Sequence, residues 1–278
     1  MGNRNIKTFN IFVYVSLFIG SVVMVMPFIW MVLTSLKDNP ELLRIPPKWL
    51  PDNILNFKNY FKVLFDFDFK RFFLNSFVVS FGNTFFTVLF SSLGGYAFSK
   101  FKFPGKEVIF FSLVIAAITI PQEVLVIPQY ILATKLHLIN TYPGLMMPGL
   151  ISAFGIFIMR QFCDGIPNDY IDAARLDGFS EIGIYIKIIL PLTKPAIATL
   201  SIIKFIGTWN EFMWPLIIAT SDKMKTMTVG MAAFTGEWFV DNGAISAASF
   251  ISILPMLIVF IILQKYVIKG MTMTGLKG

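Results

Sequence analysis

Polar side chains able to do chemistry are sparse in this chain, and two places hold most of them. Residues 170–196 read YIDAARLDGFSEIGIYIKIILPLTKPA, a run of acids, bases, paired alanines and an Asp-Gly step between long apolar blocks. Residues 208–216 read TWNEFMWPL, which sets Asn210 and Glu211 in an otherwise apolar stretch with Lys204 nearby. An acid at the centre of a bilayer costs about 2.5–3.5 kcal/mol, so such a group faces a partner, a cavity or the interface. Asn210 and Glu211 therefore either line a route for polar solutes, or pack against another subunit or the outer end of a helix. Trp209, Phe212 and Trp214 could stack on a solute or anchor at the interface. Asn83 and Thr84 could face the same route or join helices by hydrogen bonds. Glu123, between Pro121 and Pro128, sits where a helix must break. A single histidine, His137, and a single cysteine, Cys163, leave no disulfide framework and no Cys/His metal set. No G-x-x-x-x-G-K-[ST] loop occurs. We assign no catalytic and no metal-binding residue, and expect no ATP hydrolysis by this chain.

The elements that carry these residues follow from composition. Of 278 residues 56% are hydrophobic and only 14% charged, against roughly 25% charged in a soluble domain. Mean hydropathy is +0.72. The chain is therefore expected to be an all-α integral membrane protein with about six transmembrane helices. A span needs about 20 apolar residues, and candidates lie near 10–34, 73–96, 107–131, 142–162, 196–219 and 245–267. Lipid forces each segment to satisfy its own backbone, and no barrel-type alternation appears. The first block runs uncharged from Asn10 to Leu33, longer than the roughly 7–15 apolar residues of a signal peptide. The third span is interrupted by IPQEVLVIPQY. We expect one domain, 1–278.

The net charge of +7 is read as cytoplasmic loop charge rather than nucleic-acid binding. With both termini inside, Arg4, Lys7, Lys100, Lys102, Lys106, Arg160, Arg175, Lys187, Lys194, Lys265, Lys269 and Lys277 share the cytoplasmic side. The loop 37–71 dissents with seven basic residues, but it is long and carries five acids. Its prolines at 46, 47 and 51 stop a helix, and NFKNYFKVLFDFDFKRFF could lie along the outer interface.

Within the polar insert, Pro167 and Asn168 suit a helix start, and Asp169 and Asp172 suit its first turns. Gly178 suits the stop. Tyr170, Ala173, Ala174 and Asp177 share a face by spacing, and the two alanines leave a shallow notch. A second helical run ends at Pro191 and Pro195. On these residues alone, the insert is either a docking surface or a solvated helical loop.

Asp172-Ala173-Ala174, then Asp177-Gly178, then Ile188-Ile189-Leu190-Pro191 resemble the cytoplasmic EAA loop of permease subunits of binding-protein-dependent ABC importers. Asp172 stands where that family usually has Glu, one methylene shorter. The resemblance implies a coupling loop at 164–195, with Tyr170, Asp172, Ala173, Ala174, Asp177, Gly178, Leu190 and Pro191 engaging a cleft of an ATP-hydrolysing subunit. NSFVVS at 75–80, GGYAFSKFKFPGK at 94–106, IPQEVLVIPQY at 120–130, TWNEFMWPL and the tail GMTMTGLKG are similar to the carbohydrate, maltose-type branch.

That branch implies alternating access for a sugar or sugar-like solute, in a bacterial-type plasma (inner) membrane. It implies as partners a cytoplasmic ATPase dimer that uses ATP and Mg, a second homologous permease subunit forming a heterodimer, and an external solute-binding protein. The chain itself would bind no cofactor. Asn83, Trp209, Asn210 and Glu211 are then the candidate solute pathway. The loop 221–242 is the candidate contact with the binding protein, and the tail 270–278 would reach toward the ATPase. The alternative, an ion-gradient-driven secondary transporter, calls for inverted repeats and intramembrane acid–base partners. No such repeat is visible, and Lys204 with Glu211 is thin support. A membrane enzyme would need clustered catalytic side chains, which are likewise not visible.

Overall fold

The computed structural model describes residues 2–65, 68–237 and 241–274. It is 79% helical, with no strand among the described residues. In chain order the helices are α1 (Gly2–Ser35), α2 (Asn39–Leu42), α3 (Lys58–Phe65), α4 (Phe69–Lys100), α5 (Lys106–Thr119), α6 (Gln122–Lys135), α7 (Tyr142–Met146) and α8 (Ala153–Asp164). They continue with α9 (Asn168–Leu176), α10 (Glu181–Ile184), α11 (Leu190–Leu192), α12 (Lys194–Trp209), α13 (Met213–Ile218), α14 (Met227–Glu237) and α15 (Asn242–Thr274).

Three helices, α1, α4 and α15, are each long and apolar enough to cross a membrane. Three bent pairs raise the number to as many as six: α5 with α6 at 98°, α7 with α8 at 55°, and the α10–α11 segment with α12 at 77°. The all-helical membrane fold is therefore present, with its helices broken more often than the sequence suggested. The fourth expected span, 142–162, is interrupted by a 3₁₀ turn over Met147–Gly149. The fifth, 196–219, stops at Trp209 and restarts at Met213.

The prolines explain two of these breaks. A proline lacks the N–H that would reach the carbonyl four residues back, and its ring crowds that oxygen. Pro148 thereby frees the Gly144 carbonyl, which accepts the Trp214 indole N–H at 2.9 Å. Pro215 frees the Glu211 carbonyl, which accepts the Thr228 hydroxyl at 2.7 Å. Each orphaned acceptor is thus re-satisfied by a side chain, as burial demands.

The chain packs as two compact units. One comprises Met1–Lys70 with Met231–Leu254, the other Arg71–Gly230 with Pro255–Gly278. In the first, no residue in the most apolar stretch of α1 is buried within this chain. The buried Asn59 side chain donates to the Ser35 and Lys37 carbonyls at 2.9 Å each. Lys62 pairs with Asp241, which also caps α15 by accepting the Ala244 N–H at 3.0 Å. Burial alone would raise the Asp241 carboxyl, but the hydrogen bonds from Lys62 and Ala244 hold it below its ordinary value. Of the aromatic stretch expected at the interface, Phe57, Phe61 and Phe65 are exposed. Asp66 and Phe67 lie outside the described residues.

In the second unit, α4 packs closely on α8. A Cβ on Gly95 would fall 2.5 Å from the Met159 Cβ and 2.7 Å from the Arg160 nitrogen, so only glycine admits this approach. At the start of α4, the Asn75 amide donates to the Lys223 and Lys225 carbonyls at 2.9 Å each and accepts the Tyr142 hydroxyl at 2.7 Å. The Ser76 hydroxyl accepts the Met227 N–H at 2.7 Å. These bonds fasten the segment between α13 and α14 to α4.

Candidate functional site

At the opposite end of α4 the polar insert forms a helical elbow. α9 ends as a Schellman motif: the Phe179 N–H reaches the Ala174 carbonyl and the Gly178 N–H the Arg175 carbonyl, each at 3.0 Å. Gly178 has a φ of +80°, the left-handed value this motif requires. Ser180 then caps α10 by accepting the Gly183 N–H at 3.2 Å.

One network fixes the angle between the two arms. Arg175 Nε donates to Glu181 Oε1 at 2.8 Å, and the Tyr96 hydroxyl of α4 donates to Glu181 Oε2 at 2.7 Å. The bond to Glu181 leads in raising Arg175 above its ordinary value, so the guanidinium stays charged. Lys100 Nζ adds bonds to the Ile166 carbonyl at 2.6 Å and to Asn168 Oδ1 at 3.0 Å. Beneath lies an apolar core that includes Tyr96, Cys163, Ile171, Ala174, Ile184 and Ile189.

Tyr170, Ala173 and Asp177 lie exposed on the outer face, with Asp172, which pairs with Arg175 at 3.2 Å. Ala174 does not share that face. Only 5% exposed, it packs with Ile171 in the core, so the notch expected from paired alanines is a single alanine. Leu190 packs against the same core, and Pro191 is exposed just beyond it. The sequence reading missed Leu176, an apolar side chain 89% exposed at the tip of the elbow. It also missed Glu181, signalled by opposite charges six residues apart across a glycine corner.

The second site is a cavity of about 320 Å³ in the same unit. Its polar lining includes Asn83, Gln122, Glu123, Lys204, Thr208 and Glu211. Helix breaks converge on it. Gln122 and Glu123 begin α6, Gly149 and Ser152 flank the α7–α8 interruption, and Glu211 and Met213 span the α12–α13 gap. Interrupted backbone at membrane depth is tolerated where it lines a cavity or is buried in protein.

Asn83 is 3% exposed and its Oδ1 has no hydrogen-bond partner among the described residues. Glu211 Oε1 accepts the Trp214 N–H at 3.3 Å, capping α13 from the cavity wall. Of the four expected pathway residues, the structure brings Asn83 and Glu211 together here. Trp209 is elsewhere: 2% exposed, its ring packs at 5.5 Å from that of Phe73 and 5.8 Å from that of Phe205. Asn210 caps the end of α12, is exposed, and does not line the cavity. No metal-binding group of His, Cys, Asp and Glu occurs among the described residues.

Residues 91–273 match the family described as the inner membrane component of binding-protein-dependent transport systems. The chain belongs to that family. The permease is 35% identical over 261 residues to the arabinooligosaccharides transport system permease protein AraQ of Bacillus subtilis (strain 168), covering 93% of this chain and 92% of that protein. It is 34% identical over 271 residues to the trehalose/maltose transport system permease protein MalG of Thermococcus litoralis, covering 94% and 96%. Among solved structures, a bacterial ABC transporter involved in the import of the acidic polysaccharide alginate has the same fold. Its TM-score is 0.81 at 24% identity, over 96% of this chain and 99% of that chain. The resemblance to ABC importer permeases drawn from the sequence is thereby established, and nothing in these relationships supports an ion-gradient carrier.

Proposed function

We propose that this permease is one of two non-identical membrane subunits of an ATP-driven importer for a sugar or sugar-like solute. The observation that carries the solute class is end-to-end similarity to permeases whose names specify arabinooligosaccharides and trehalose/maltose. Both termini are cytoplasmic in this reading, which puts the elbow on the ATPase side and the 221–242 loop outside, against the binding protein. Residues 238–240 of that loop and 275–278 of the tail lie outside the described residues.

The elbow docks through Tyr170, Asp172, Ala173, Leu176 and Asp177 into the ATPase. That partner binds ATP and Mg, and this chain needs no cofactor of its own. The Schellman turn and the Arg175–Glu181–Tyr96 network make the elbow and α4 move together. The cavity is the solute route: Asn83 Oδ1 is a buried acceptor awaiting a hydroxyl donor, and such an atom is costly to leave unpaired. Solute hydroxyls or water serve it in turn as the helix breaks open and close.

The test is reconstitution of this chain with its second permease and ATPase in proteoliposomes, followed by uptake of labelled oligosaccharide. Uptake should require both ATP and the binding protein. Accumulation driven by an ion gradient without ATP would overturn the reading.

A further inference from the structure

A second cavity of the same unit, unlike the solute cavity, is an apolar groove. It encloses about 730 Å³, within the roughly 300–1,000 Å³ of ligand-sized pockets. Phe77, Phe81 and Phe85 of α4 are successive rungs of one wall, with the first two rings stacked at 6.1 Å. Val259 and Leu263 of α15 also line it, as do Leu190 and Pro191. Among the described residues, Lys194 is the only charged side chain that lines it.

Two features of Lys194 point to an anion. Among the described residues its ammonium has no hydrogen bond or ion pair. It is also the first residue of α12, where the helix dipole disfavours a cation and favours a negative group. The walls decide what else the ligand carries. Apart from the hydroxyls of Thr84, Ser92, Tyr185 and Ser201 the walls are apolar, so a sugar there would leave most of its hydroxyls unpaired, which burial penalises, whereas a hydrocarbon chain would not.

We propose that this groove is a binding site for an anionic phospholipid, with an acyl chain between α4 and α15 and the phosphate at Lys194. In the orientation proposed above, Lys194 lies in the cytoplasmic leaflet, where anionic lipids and juxtamembrane lysines attract one another. The site also touches the moving parts. Tyr185 and Ile186 line the groove and belong to a π-turn, Tyr185–Ile189, that joins the elbow to α12. π-turns are rare and recur at functional positions. A lipid seated here packs against the joint through which the elbow drives α12.

The experiment uses the assembled transporter in nanodiscs of equal phosphatidylcholine and phosphatidylglycerol, with retained lipids identified by native mass spectrometry after detergent extraction. The wild type should keep phosphatidylglycerol in preference to phosphatidylcholine. Lys194→Ala should lower that preference about fivefold, equivalent to about 1 kcal/mol for one lysine at an anionic headgroup. Lys194→Arg should preserve it, and Ile197→Trp, which fills the groove, should displace both lipids. An unchanged preference in Lys194→Ala would overturn the proposal. So would a photo-crosslinker in place of Phe81 that captured the second permease rather than a tail-labelled phosphatidylglycerol.

Discussion

At the residue scale, the elbow separates what holds it from what it offers. Beyond its two chain neighbours, no atom of the described residues lies within 4 Å of where a Cβ on Gly178 would be, so a substitution there acts through backbone conformation alone. A Cβ in the left-handed region costs roughly 1–2 kcal/mol, least for asparagine and aspartate. We expect Gly178→Val to assemble but to uncouple uptake from ATP hydrolysis, and Gly178→Asn to retain most uptake; equal uptake in both would remove the coupling role. Leu176 is 89% exposed, so Leu176→Asp should leave thermal stability unchanged while lowering co-purification of the ATPase at least tenfold. Retained ATPase would place the contact elsewhere. The sequence disclosed Gly178 and the acids of α9 through helix-stop chemistry and dipole preference. It misassigned Ala174, because positions 170, 173, 174 and 177 bracket a helix face whose edge already belongs to Ile171. Leu176 was passed over because a leucine in a greasy chain carries no signal until its exposure is known.

At the element scale, what matters is where helices stop. The break before α6 was legible, since Pro121 and Pro128 flank Glu123. The break at 210–212 was not, because Pro215 acts on a carbonyl four residues back and its replacement donor, Thr228, comes from a distant segment. Thr228→Val should leave the Glu211 carbonyl unpaired and cost about 1–3 kcal/mol, measurable as a lower denaturation midpoint in detergent; no change would mean another donor takes over. The start of α15 depends on Asp241. Its carboxyl is depressed in the folded chain, so its contribution is fully present above the unfolded value near 4 and is lost as pH falls through the folded value. Acidification from pH 8 to 5 should therefore not loosen this cap, and Asp241→Asn should remove the low-pH sensitivity of amide-exchange protection at Ala244.

At the scale of the whole molecule, class and family were readable because lipid imposes composition and because the insert's spacing is specific. Orientation rests on basic-residue bias, and cysteine accessibility at Lys187 and Lys223 would check it: labelling from opposite sides is expected. The cavity was half legible. Asn83 and Glu211 stood out as polar residues in apolar runs, while Trp209 looked equally suited to a solute and is a core side chain packed on Phe73 and Phe205.

One helix, α4, has Tyr96 tied to the elbow near one end and Asn75 tied to the 223–225 segment near the other. These positions are 21 residues apart, roughly 30 Å along a continuous helix. Taking the elbow and the 223–225 segment as the docking surfaces proposed above, a continuous helix that links them implies a thermodynamic symmetry. If ATPase engagement tightens the grip of the binding protein by some factor, the loaded binding protein must tighten ATPase engagement by that same factor. Asn75→Ala should shrink both effects equally, and two titrations on one reconstituted sample, each ligand with and without the other, would show whether the two factors fall together.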